Sequence, residues 1–85
     1  MTGVNRMEYR NQVLTELYNH HFIEKKHQRR YHDEEMLDND FYMALMYWID
    51  KGFIKNLSTT DPIAYLYRIT ANGIDYVEAS GFSLA

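Results

Sequence analysis

Apolar residues near the start of the chain recur at helical spacing. Val13, Leu14, Leu17, Tyr18 and His21 stand at i, i+1, i+4, i+5 and i+8, one face of a 3.6-residue period. The pattern predicts a helix over about 5–22, with Asn5 as N-cap and Glu8 three residues on, as in a capping box. The stretch from Ile23 to Tyr31 is polar, basic and without period, so it reads as a connection with room for a short strand near Arg30-Tyr31-His32. Asp33, Glu34 and Glu35 then open a short helix over about 33–38, acids at the end that the helix dipole favours. Asn39 or Asp40 is the expected cap of a third helix over about 40–51, with Phe41, Leu45, Trp48 and Ile49 on one face. Lys51 lies in its last turn and Gly52 supplies a left-handed stop.

After Gly52 the period changes from helical to alternating. Phe53 to Leu57 reads as a strand, Ser58 to Pro62 as turn chemistry and Ile63 to Ile69 as the returning strand, a hairpin over about 53–69. Alternation puts Ile63, Tyr65, Tyr67 and Ile69 on one side of that strand and Ala64, Leu66 and Arg68 on the other. Thr70 caps a final helix over about 71–80, with Ile74 and Val77 inward and Gly81 ending it. The 85 residues are room for one domain, and eight Tyr with one Trp provide the large rings that fill a thin core.

Two segments carry a family resemblance. Ala44-Leu45-Met46-Tyr47-Trp48-Ile49-Asp50-Lys51-Gly52-Phe53-Ile54 is similar to the exit from recognition helix to wing in the winged helix-turn-helix superfamily. Tyr67-Arg68-Ile69-Thr70-Ala71-Asn72-Gly73-Ile74-Asp75-Tyr76 looks like that family's passage from wing to last helix. With the helices before them they cover roughly residues 8–80. Among small stand-alone members, the YjcQ-type proteins of Gram-positive bacteria and their phages look closest in architecture. The resemblance implies an α+β, mostly α fold: three helices, a two-stranded wing and a C-terminal helix in a single domain spanning 1–85. It implies a DNA-binding transcriptional regulator of bacterial or phage type, working as a homodimer on double-stranded DNA.

Charge complicates that implication. The net charge is −3 and the isoelectric point about 5.7, whereas nucleic-acid-binding domains often lie above ~9. The cations are clustered, however. Lys25, Lys26, Arg29 and Arg30 form a compact basic stretch, and Lys55 and Arg68 fall in the wing, where charge alone suffices to touch phosphate. On the third helix the face opposite Leu45 comprises Asn39, Asp40, Met43, Met46, Tyr47 and Asp50. Only Asn39 is a base-reading residue there, and Asp40 and Asp50 would repel phosphate. The expected DNA contacts are therefore Lys25, Lys26, Arg29, Arg30, Asn39, Lys55 and Arg68. Met43, Met46 and Tyr47 suggest the alternative, a non-enzymatic protein-interaction or dimerisation module that does not bind DNA.

Other chemistry finds little footing. With no cysteine, and with His20, His21, His27 and His32 at no zinc-like spacing, no metal site or cofactor is expected. Ser58, Ser80 and Ser83 lie outside any nucleophile motif, and the four glycines form no phosphate-cradling loop. The chain reads as having no catalytic residues, no small-molecule substrate and no enzymatic activity. The sequence start lacks the apolar run of a signal peptide, and no window approaches the ~20 apolar residues of a membrane span. A cytoplasmic location without membrane contact is the expectation.

Overall fold

The computed structural model of the chain describes residues 6–80. It is α+β and mostly helical, in the order α1 (Arg6–Phe22), β1 (Arg29–Tyr31), α2 (Asp33–Met36), α3 (Asn39–Asp50), β2 (Ile54–Asn56), β3 (Thr59–Thr60), β4 (Ile63–Ile69) and α4 (Ala71–Ser80). The helical face expected for α1 is the one that packs: Val13, Leu14 and Leu17 are buried against Ala44, Leu45 and Trp48 of α3. Tyr31, Ile54, Tyr67, Ile69 and Val77 complete one core, so every element except α2 and β3 contributes a buried side chain.

The end of α3 explains how helix becomes sheet. Gly52 takes φ +79°, Gly52 N–H donates to the Ile49 carbonyl and Phe53 N–H to the Trp48 carbonyl, both at 2.9 Å. This is a Schellman stop, and its usual apolar contact is present as Phe53 stacked on Trp48, ring centroids 5.5 Å apart. Thr70 then locks the last helix onto the same turn. Its hydroxyl donates to the Gly52 carbonyl at 2.7 Å and accepts from Gly73 N–H at 3.2 Å, capping α4 as expected.

Strand order in the sheet is β1-β4-β2, all antiparallel, with β3 also on β4. Several local expectations need correction. Asp38, rather than Asn39 or Asp40, caps α3: its carboxylate accepts from Asp40 and Phe41 N–H at 3.0 and 3.3 Å. That cap position ends α2 early, at Met36, and starts α3 at Asn39. β1 is Arg29–Tyr31, one residue before the expected strand. Ser58 to Pro62 is not all turn. Register continues from Ile54↔Ile69 through Thr60↔Ile63, leaving only Asp61 and Pro62, joined by a cis bond, to reverse the chain. Ser58 bridges the interruption between β2 and β3, its hydroxyl accepting from Leu66 N–H at 3.1 Å. The expected cap at Asn5 and stop at Gly81 lie outside the described residues.

Two positions leave little freedom. A Cβ on Gly73 would run into the Phe53 carbonyl oxygen and stand 2.7 Å from Ile69 Cγ1, atoms that the core cannot move aside. Gly73→Ala should therefore destabilise the fold by about 3 kcal/mol, the upper part of the overpacking range, measured by denaturant unfolding. Tyr31, 1% exposed, buries its hydroxyl without a hydrogen-bond partner among the described residues, and burial pushes its pKa well above the ordinary range. Burial raises Tyr67 as well. Because the folded state holds these protons after the unfolded chain releases them, their contribution to stability should be fully present below about pH 10 and be lost as pH rises beyond it. Tyr31→Phe should flatten that alkaline loss and add about 1 kcal/mol at neutral pH by removing an unsatisfied polar group. An unchanged alkaline slope would show that Tyr31 is not the group responsible.

Candidate nucleic-acid interface

The sheet register sorts the basic residues. Directly opposed residues on antiparallel strands share a face. Arg30 is opposite Leu66, and Lys55 opposite Arg68, so Arg30, Arg68 and Lys55 lie on one face across all three strands. None of the buried core residues is on this face; Leu57, Ala64 and Leu66 lie among the cations, half-buried. Among the described residues none of the three cations has an ion-pair partner. Arg68 donates to the Ile69 carbonyl at 3.3 Å, and Arg30 shares a shallow depression with Asp33 and Glu34. The register also carries the chain preceding Arg29, with the exposed Lys25 and Lys26, toward the Arg68 end of β4. Lys25 itself turns the chain with φ +60°.

Arg29 has a different fate. It shares the inner face with Tyr31, where its guanidinium reaches Glu16 of α1 at 2.9 Å and Glu35 of α2 at 3.7 Å and lies 4.7 Å from the Tyr31 ring. The basic stretch 25–30 is thus split by strand alternation: Arg30 faces out, whereas Arg29 clamps two helices to the sheet.

Asn39 does not join the cationic face. It lies at the start of α3 in a cleft of about 540 Å³ between α1 and α3. Met43, Met46 and Tyr47 line the same cleft from α3, and Arg6, Tyr9 and Arg10 from α1. Met43 is 60% exposed, but Met46 and Tyr47 are half-buried, because α1 crosses this part of α3. The Arg10 guanidinium sits over the Tyr47 ring at 3.9 Å. The face of α3 opposite Leu45 is therefore one wall of a groove, not a free convex ridge. Tyr9 on the groove floor went unrecognised in the sequence, although it stands four residues before Val13 on the same helical face. Burial, then the charges of Asp38 and Asp40, raises its pKa above the usual range.

No family model, curated protein or solved structure matches the chain. What the surfaces can do rests on their own chemistry. The described residues include no group of three or more metal-ligating side chains and no helix long and apolar enough to cross a membrane. His20 bonds to Glu24 at 3.2 Å and to the Gln28 carbonyl at 2.9 Å, securing the loop after α1. His21 packs edge-on against Phe22, ring centroids 4.7 Å apart. Tyr67 is buried against Tyr31 at 5.9 Å, and Tyr65 is half-buried on that inner face, so neither ring is presented for stacking.

The two neighbouring arginines should separate in a stability assay. Arg29→Ala is expected to cost about 1 kcal/mol through its two ion pairs and ring contact, and Arg30→Ala to stay within about 0.5 kcal/mol. Equal thermal shifts would mean that the Arg29 clamp does not hold in solution.

Proposed function

We propose that this chain is a small winged-helix domain that regulates through double-stranded DNA, gripping the phosphate backbone with the outer face of its sheet. The winged-helix reading is supported by the element order. A strand between the first two helices joins the two-stranded hairpin that follows the third, and a last helix closes onto α1. The DNA reading is carried by one observation: Arg30, Arg68 and Lys55 share one face across three strands, without ion-pair partners among the described residues.

Lys55 and Arg68 are directly opposed, an arrangement that like charges disfavour within the free fold. A polyanion relieves that repulsion. Phosphate contact needs charge and not a base code, so such a face positions the domain on a duplex without reading sequence. In this reading α3 is not the reading element. Asp40 and Asp50 flank its exposed stretch, and Asn39 at its start lies apart from the cations.

Fluorescence anisotropy with random duplex DNA tests the proposal. Binding is expected at low salt and should weaken steeply as salt rises through counterion release. In the double variant Lys55→Glu/Arg68→Glu the slope of log affinity against log salt should fall by about 2. Lys55→Glu alone should act in opposite directions on binding and folding. It weakens DNA affinity while stabilising the fold by about 0.2–1 kcal/mol through a new cross-strand Glu–Arg pair. No binding at low salt, or unchanged affinity in the double variant, overturns the assignment.

A further inference from the structure

The cleft between α1 and α3 carries charge of opposite sign on its two walls. Arg6 and Arg10 belong to the α1 wall, Asp40 and Asp50 to the α3 wall, and Met43 and Met46 supply apolar surface between them. Among the described residues none of these four charged side chains has an ion-pair partner, although Arg10 lies over Tyr47. Asp50 also stands where its helix disfavours it, since it ends α3, where the helix dipole prefers a cation. Met43, 60% exposed on the same groove, is a large thioether left in water.

We propose that this cleft is the interface through which two copies of the chain associate about a two-fold axis. A two-fold axis sets residue i of one copy against residue j of the other and j against i. A surface carrying both signs on opposite walls is therefore complementary to itself: the Arg6–Arg10 wall of each copy meets the Asp40–Asp50 wall of its partner. The Met43 and Met46 side chains pack in the centre, where adaptable thioethers suit a close-packed contact. A nucleic-acid backbone fits this groove poorly, since half of its charge is negative. A second copy satisfies both walls at once. The inference does not rest on the sheet face, which lies on another surface and is tested by other residues.

Sedimentation velocity of the full chain, over a concentration series reaching hundreds of micromolar, decides the matter in combination with Asp50→Lys and Arg6→Glu. Asp50→Lys suits the dipole at the end of α3, and both positions are exposed, so both variants should keep the wild-type melting profile. The wild type should be dimeric at the upper concentrations. Each variant alone turns two attractive pairs into repulsive ones and should raise the dimer Kd by about tenfold or more. An equimolar mixture of the two variants should recover a dimer, because the lysine introduced at position 50 of one copy then meets the glutamate introduced at position 6 of the other, while Arg6 of the first still meets Asp50 of the second. Met43→Glu should weaken the dimer independently of the charged walls. A wild type that is monomeric throughout, variants that dimerise as the wild type does, or a mixture that stays monomeric each overturns the proposal.

Discussion

The placement of Trp48 is the constraint on which the rest of this fold depends. Its indole N–H donates to the Arg10 carbonyl at 2.7 Å, a bond from the middle of α3 to the backbone of α1. Its ring stacks on Phe53 and lies 5.5 Å from Tyr76, so one side chain joins α1, α3, the entry to β2 and α4. Burying the large ring supplies apolar contact, and the bond to Arg10 removes the cost of burying its polar edge. At 2% exposure it has no alternative environment. The Schellman turn at Gly52 is built from the same residue, since it is the Trp48 carbonyl that Phe53 N–H reaches.

The two surfaces of interest follow from that anchoring. Drawing α3 onto α1 at Trp48 leaves the α1 wall around Arg6, Tyr9 and Arg10 standing beside the α3 face as a cleft. Fixing Phe53 and Thr70 at the end of α3 sets where β2 begins and β4 ends, and with them the register of the sheet. One face of the sheet is then filled by Ile54, Tyr67, Ile69 and Tyr31 against the helices. Every residue of opposite parity is turned outward. The cationic row is a consequence of this parity: one-residue slippage would bring Lys55 and Arg68 into the core and is excluded by the burial cost of their charges.

Much of the secondary structure was legible in the chain because it is set locally. Three and four residues separate the buried positions of α1, glycine stands at the positive-φ turn that ends α3, and threonine precedes α4. The misjudged boundaries are those where neighbouring polar residues compete for one local role. Asp38, Asn39 and Asp40 can each cap a helix in sequence terms, and the choice of Asp38 depends on how α2 ends. The hairpin turn looked long because Ser58, Thr59 and Thr60 are turn formers, yet the pairing of β3 with β4 and the Ser58 hydroxyl keep them in the ladder.

The sequence alone therefore determined the helices, the hairpin and the inward faces of α1 and α3, since spacing and capping are properties of nearby residues. Tyr31, by contrast, in a stretch read as a polar connection, is brought into the core by the sheet. Only the tertiary structure decided which charges act together. Arg29 and Arg30 are neighbours in the chain and opposites in space, one clamped to Glu16 and Glu35, the other beside Arg68 and Lys55. Likewise Met46 and Tyr47, outward on an isolated helix, become the wall of a cleft once α1 crosses them. The physical reason is common to both cases. Strand register and helix crossing are set by contacts between residues far apart in the chain, and no local pattern encodes the partner across the sheet or the groove.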